Sequence, residues 1–494
     1  MENYLIGAAE VFTVPGILAI LIGSAAGILV GAMPGLGPSM GVALLIPVTY
    51  GLPATMSLNM LVALYLAAEY GGSISAVLIG TPGTAAATAT IMDGYPLNQK
   101  GQPGKALGAS LVGSTFGGVV GGAALMLISE PVAVVALKFG PVQFCALGIF
   151  GLAIISSLSG DSPLKGLLMA AVGVALTIIG VDPISGGLRF TFGFYELYEG
   201  IPFLTALIGL FALTEVFSMI EEIGTGKKAD SKAARGFLTL RESIRLIPTF
   251  LRGSAIGTIV GAVPGAGANI AAWIAYDQEK RWSGKGDQFG KGCIEGVAAP
   301  ESANSSSVGG ALIPLLTLGL PGSPTTAVLI GALIIHGLTP GPELFTKNPE
   351  VVYGLFVGLM VAYVAIFALG RMAMPLWVRV IDIPKGVLAA VVFGLGTVGA
   401  YTIRNLVFDV WLTVGFGIAG YFLKKFRFPM APLVLGMVLG YMVESNYRRA
   451  MIMSQGSHSI FFEDPISLAL LVLAAMSFFW PLIQQWRRQR AKRV

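Results

Sequence analysis

The sequence predicts an all-α polytopic membrane protein of about 12 transmembrane helices, counting broken and re-entrant ones, in two inverted structural repeats. Three observations predict it. The 494 residues are 55% hydrophobic and 12% charged, too few charges to cover a water-soluble surface. Continuous apolar runs long enough to cross ~30 Å of hydrocarbon recur along most of the chain, where a β-barrel would show short alternating segments. One glycine-rich segment also occurs twice.

That segment is GSAAGILVGAMPGLG, Gly23 to Gly37, and its second copy is GSAIGTIVGAVPGAG, Gly253 to Gly267. At a constant offset of 230, ten of the fifteen positions are identical. Small residues four apart suit close helix packing. Pro34-Gly35-x-Gly37 and Pro264-Gly265-x-Gly267 then end the apolar segment, because proline removes a donor and glycine permits the backbone that follows. A helix that stops inside apolar surroundings, in two copies, points to a secondary transporter built from repeats.

Along the chain, a broken helix around Val11 to Met33 leads to a short arm ending near Val48. A second run, Ser57 to Ile79, ends at Gly80-Thr81-Pro82-Gly83. A polar loop is expected from Asp93 to Lys105, then runs near 106–128, 131–158, 164–181 and 201–220. The charged stretch at 223–245 reads as a cytoplasmic linker between a first half, 1–222, and a second, 246–483. The second half inserts a charged stretch, Tyr276 to Gly292, before runs near 305–320, 325–338, 351–370, 386–401, 405–423, 430–443 and 465–483. A basic tail, 484–494, closes the chain.

The net charge of +5 sits mainly in loops and tail, where it reads as topology rather than nucleic-acid binding. The basic linker, tail and Lys424-Lys425-Phe426-Arg427 are expected on the cytoplasmic side, and the N-terminal segment, with Glu2 and Glu10, outside. That places the repeats in opposite orientations. MENYLIGAAE lacks the basic start of a cleavable signal. Cys145 and Cys293 are too few for a disulfide scaffold, and His336 and His458 too few for a histidine metal centre.

The copies stay related further on. Glu69 is expected to match Glu301, Pro82-Gly83 to match Pro321-Gly322, and Asp93-Gly94 to match His336-Gly337. Each half thus has two breaks flanked by small hydroxyl residues. Freed backbone groups at such breaks must be buried in protein or line a wet cavity. Helix N-termini there suit a carboxylate, and freed carbonyls and hydroxyls suit Na⁺. The candidate substrate and ion residues are Pro34, Gly35, Gly37, Ser39, Ser73, Ser75, Thr81, Gly83, Thr84, Gly265, Gly267, Asn269, Asn304, Ser305, Gly322, Ser323, Thr325 and Thr326. Glu69 and Glu301 are the coupling candidates, since acids in a membrane are costly. Each has a plainer reading: the glycines as a packing face, Asn269 and Asn304 as caps, Glu301 as a boundary cap, His336 as structural. Arg404 and Lys138 are the main basic residues within apolar runs, so helix ends, Asn and Ser/Thr are expected to carry recognition of an anion.

An intramembrane enzyme would need a nucleophile with a base, or a metal cluster, in the apolar runs; no such grouping is present. No metal or organic cofactor is expected. The alternative within transport is a stand-alone secondary transporter or channel for another small solute. No G-x-x-x-x-G-K-[ST] phosphate loop occurs.

At Gly31 to Leu52, Tyr70 to Gly101, GAVPGAGANIAAWIAYDQEKR and Phe289 to Phe345, the sequence resembles the large membrane subunit of the tripartite tricarboxylate transporters, the TctA family. The resemblance covers nearly the whole chain. It implies a bacterial inner-membrane subunit that works with a small four-helix membrane subunit and a periplasmic solute-binding protein, importing a carboxylate such as citrate with Na⁺. Gly80-Thr81 and Asn304-Ser305-Ser306-Ser307 depart from the family pattern beside the inferred site, which bears on which carboxylate is carried.

Overall fold

The structure is a computed structural model that describes residues 2–157, 162–182, 184–223, 236–373, 376–377 and 383–491. The described residues are mostly helical. Seven described helices are long and apolar enough to cross a membrane: Val14–Ala32, Ala54–Ile79, Pro103–Ala136, Phe203–Glu221, Pro349–Met372, Lys385–Arg404 and Val407–Lys425. The helices fall into two compact units, one of residues 1–133 and 215–399, the other of 134–214 and 400–494. Both units therefore draw residues from each side of the charged linker, and the first contains both glycine-rich copies. Residues 224–235 of that linker lie outside the described residues.

In the first unit the helices run α1 (Glu2–Val11), α2 (Val14–Ala32), α3 (Pro38–Leu45), α4 (Ala54–Ile79), α5 (Ala87–Gln99) and α6 (Pro103–Ala136), the last reaching just past the unit. Each start has a local cause. Thr13 caps α2 by accepting from the Gly16 amide, and proline stands in the first turn of α2 and α3, where its missing donor is not needed.

Two expectations about this half change. Asp93 to Gln99 is helix rather than polar loop, with Pro96 inside α5. The proposed gap near residue 130 is absent: Pro131 lies within α6, which runs on to Ala136.

The second copy runs α7 (Ile247–Gly261), α8 (Gly267–Trp282), α9 (Glu295–Leu318) and α10 (Pro324–Ile335), followed by α11 (Pro349–Met372). Most of the expected charged insertion is therefore not a loop: Tyr276 to Trp282 continue α8, and the irregular stretch begins at Ser283. Helix α9 begins ten residues before the apolar run that suggested it, because its first turns are small residues buried in protein rather than apolar residues facing lipid.

Packing explains the glycines. A Cβ at Gly23, Gly27 or Gly31 of α2 would overlap the carbonyl oxygen of Met60, Leu64 or Ala68 on α4. A Cβ at Gly253, Gly257 or Gly261 of α7 would overlap that of Ala299, Ala303 or Ser307 on α9. The two helix pairs therefore interlock in the same register. Because Met60 stands where Ala299 stands, 239 residues on, the same offset pairs the left-handed ends of α4 and α9, Gly80 (φ 65°) and Gly319 (φ 69°). It also pairs Gly83 with Gly322. Glu69 then matches Val308, Glu301 matches Val62, and Asp93 matches Ala332. The expected pairings of Glu69 with Glu301 and of Asp93 with His336 do not hold. The nine residues gained between the copies lie in the longer α8 and the loop after it.

The second unit repeats the device on a smaller scale. Gly173 of Pro163–Thr177 and Gly436 of Met430–Met453 each meet a carbonyl of the other helix, at Leu433 and Ala170. A short hairpin pairs Gly180–Val181 with Leu188–Arg189. The amides of Ser185 and Ile184, together with Arg448, hold the Asp182 carboxyl well below the usual carboxylate range. Arg404 donates through Nε to Asp409 Oδ2 (2.9 Å), and through Nη2 to Oδ1 of the fully buried Asp409. Its charge is committed there.

If carbonyl contact sets the helix spacing, Gly31→Ala and Gly257→Ala force the pairs apart and cost about 1–3 kcal/mol each. Gly51→Ala, where a Cβ meets nothing within 4 Å, leaves stability unchanged. Melting temperatures of the three purified variants in one detergent test this.

Candidate functional site

Helices α4 and α9 are buried nearly end to end within the first unit, yet both carry acids, amides and hydroxyls. Glu69, Ser73 and Ser75 lie on α4, and Glu301, Asn304 and Ser305 on α9; all are buried. Apolar helices do not bury such groups without a reason, because each unpaired one costs about 1–3 kcal/mol.

The breaks are what these helices bring together. In the first half, Gly83 of the second break lies against Gly31 of α2, and its amide donates to Gly72 O at 3.1 Å. In the second, the Gly265 amide of one break donates to Gly322 O of the other at 3.1 Å. The halves then exchange contacts reciprocally: α3 packs on α10 as α8 packs on α5, and α4 packs on α10 as α9 packs on α5. Polar atoms mark each seam. Tyr65 Oη lies 3.0 Å from Ser323 Oγ, and Thr49 Oγ1 lies 3.3 Å from His336 Nε2. Trp273 Nε1 donates to Thr88 Oγ1 at 3.0 Å, and Thr88 Oγ1 donates to Asn269 Oδ1 at 3.4 Å.

The two acids have different surroundings. Glu301 accepts from three hydroxyls, Thr90 on Oε1 and Ser110 (3.1 Å) and Ser114 (3.0 Å) on Oε2, with Ser73 hydrogen-bonded to Ser110 behind them. It ties α9 to α5 and α6. Glu69 faces the side chains of Thr84 and Asn304, but its Oε2 has no hydrogen-bond partner. The Asn304 amide donates instead to the Glu69 carbonyl at 3.3 Å. Asn304 Oδ1, Thr84 Oγ1 and Ser305 Oγ are also buried without partners.

Other candidates have plainer roles. Ser323 and Thr326 form a reciprocal cap at the start of α10, with amide-to-hydroxyl distances of 2.8 and 3.2 Å. Ser75 Oγ donates to Gly72 O in its own helix. Thr325 lies near the Tyr65 hydroxyl. Thr81, Gly35 and Asn269 are exposed, and Pro34, Gly37 and Ser39 half-buried, on the outer side of their breaks. Helices α3 and α8, which start there beside Gly37 and Gly267, have no side-chain cap.

Three residues that sequence reasoning did not select also matter. Tyr65 precedes Glu69 by one turn of α4, and Ser110 and Ser114 are four apart in an apolar run; helical spacing would have found all three. Asp93 is different. Its carboxylate, fully buried, accepts from Tyr276 Oη (2.9 Å) and from the amides of Gly290 (3.1 Å), Gly292 (2.8 Å) and Cys293 (2.7 Å). It fastens the loop after α8, and only the three-dimensional arrangement reveals this. Burial beside Glu295 pushes the Cys293 thiol up to about 12, so it is a neutral packing group. Among the described residues, no three His, Cys, Asp or Glu side chains gather as a metal site would need.

Glu301→Ala leaves three buried hydroxyls without their acceptor, at about 1–3 kcal/mol for each that finds no other. Its melting temperature falls further than that of Ser114→Ala, which removes one donor and leaves Glu301 two.

The sequence profile of the Tripartite tricarboxylate transporter TctA family matches residues 17–435. An uncharacterized 52.8 kDa protein in the TAR-I ttuC' 3' region of Agrobacterium vitis is 36% identical over 492 residues, 100% of this chain and 98% of that protein. A second uncharacterized protein of that organism, from the TAR-II ttuC' 3' region, is 38% identical over 234 residues, 47% of this chain and 97% of that one. No solved structure matches. The match across both glycine-rich copies and all four breaks makes this chain a member of the tripartite tricarboxylate transporter TctA family.

Proposed function

We propose that this chain is the large translocation subunit of a binding-protein-dependent tripartite secondary transporter. It imports a tricarboxylate such as citrate, or a related carboxylate, by cation symport with Na⁺ as the coupling ion. It works in the bacterial inner membrane with a small four-helix membrane subunit and a periplasmic solute-binding protein. About 12 crossings form two inverted repeats, with linker and basic tail on the cytoplasmic side.

The reciprocal meeting of four breaks carries this reading. Exchange of equivalent contacts is what two repeats related by a two-fold axis produce, and such breaks place helix ends and freed backbone groups at a shared centre. The uncapped starts of α3 and α8, at Gly35, Gly37 and Ser39 and at Gly267 and Asn269, offer amide donors and the positive ends of helix dipoles to carboxylate groups. With Arg404 neutralised by Asp409, recognition falls to those amides and the neighbouring hydroxyls. Glu69 and the buried oxygens beside it serve the coupling ion.

Uptake of radiolabelled citrate into proteoliposomes holding this chain, the small subunit and the binding protein tests the proposal. The expected result is accumulation that requires both an inward Na⁺ gradient and the binding protein. Binding-protein-dependent uptake of another carboxylate alone would change the substrate. Uptake by this chain without its partners would favour a stand-alone transporter, and no carboxylate uptake under any ion gradient would overturn the reading.

A further inference from the structure

The unpartnered oxygens around Glu69 call for an occupant. Glu69 is 6% exposed, Thr84 4% and Asn304 1%, so water outside the protein does not solvate them. Glu69 Oε2, Asn304 Oδ1 and Thr84 Oγ1 all lack partners. Rotating the Asn304 amide does not help. Its Nδ2 is held by the Glu69 carbonyl, and exchanging N and O would set two carbonyl oxygens against each other. Two of the three atoms can only accept, and the third, the Thr84 hydroxyl beside Glu69, has one proton to give and lone pairs to spare, so acceptors outnumber donors. An excess of buried acceptors around one carboxylate suits a cation, which all of them can ligate at once.

We infer that Glu69, Thr84 and Asn304 supply side-chain ligands of the coupling-cation site, that it holds one Na⁺, and that Glu301 is a structural clamp outside it. The inference rests on the symport reading above and assigns its ion to particular atoms. The donor set fits a hard monovalent cation: one carboxylate, one amide oxygen and one hydroxyl, with no second acid, thiolate or imidazole as divalent sites use. Glu301 is excluded by saturation, since three hydroxyls already donate to it.

The site has no twin. In the packing register Glu69, Thr84 and Asn304 correspond to Val308, Ser323 and Tyr65. At that second place the Tyr65 hydroxyl meets Ser323, Ser323 meets Thr326, and Val308 stands where the repeat would put a carboxylate. The repeat that duplicates the scaffold therefore leaves the cation site single.

The test is the melting temperature of the purified full chain, titrated with NaCl against choline chloride at constant ionic strength. Wild type is expected to gain a saturable increment from Na⁺. Thr84→Val is expected to raise the half-saturating concentration roughly tenfold or more, the scale on which lost metal-site contacts act. Glu69→Gln, which keeps the side-chain volume and supplies a donor for Asn304 Oδ1, is expected to abolish the increment while still melting cooperatively. Glu301→Gln is expected to melt lower at every salt concentration yet keep the increment. A Na⁺ increment retained in Glu69→Gln, or lost in Glu301→Gln alone, would overturn the assignment. So would uptake by the reconstituted wild type that follows a proton gradient and ignores Na⁺, which would put a proton on Glu69. Na⁺-driven uptake that survives Glu69→Gln would sink the site and leave the symport reading standing; no uptake by wild type would sink that reading itself.

Discussion

Close backbone contact between paired helices is the constraint on which the first unit depends. Gly23, Gly27 and Gly31 let α2 rest on the carbonyls of α4, and Gly253, Gly257 and Gly261 let α7 rest on those of α9. At that spacing there is no room for side chains between the helices. Dispersion and close packing then hold the pair without help from water. The same spacing brings each helix end to its neighbour: Gly83 reaches Gly31, and Gly265 reaches Gly322. The site is thus a consequence of packing before it is a matter of chemistry.

Two buried acids illustrate how surroundings decide a role. Glu301 and Glu69 share a chemistry and a degree of burial, but one is saturated by hydroxyls and the other is not. A carboxylate with three donors fixes helices in place. One with an unpartnered oxygen beside an unpartnered amide oxygen is poised to take up a cation. Asp93 is a third case, where backbone amides from Gly290 to Cys293 converge on a single side chain and make a charged loop rigid. The acid count of an apolar sequence therefore says little about function until the donors are known.

Much of this was legible in the sequence. The membrane class followed from composition, and the four breaks from Pro-Gly pairs recurring in two copies. The register is not, because nine extra residues in the second copy shift α9 against α7, and the sequence alone pairs the nearest acids, Glu69 with Glu301. Asp93 looks like loop in the sequence because Gly94, Pro96 and Asn98 are turn formers. Its donors lie about two hundred residues away, and no local pattern announces them. The start of α9 is hidden from hydropathy, which measures exposure to lipid, because small residues such as Ala298, Ala299 and Ala303 are buried against protein instead.

The reciprocal contact between the halves is the central claim, and the seam at Thr88 and Asn269 tests it most directly. Both positions would be changed to cysteine in a chain with Cys145 and Cys293 replaced by alanine and a protease site placed in the charged linker. A short bifunctional thiol reagent would be applied in membranes before cleavage. Oγ1 of Thr88 and Oδ1 of Asn269 lie 3.4 Å apart, so the account predicts that the two halves stay joined on a denaturing gel after cleavage. Halves that separate, although each cysteine reacts with a monofunctional reagent, would contradict it.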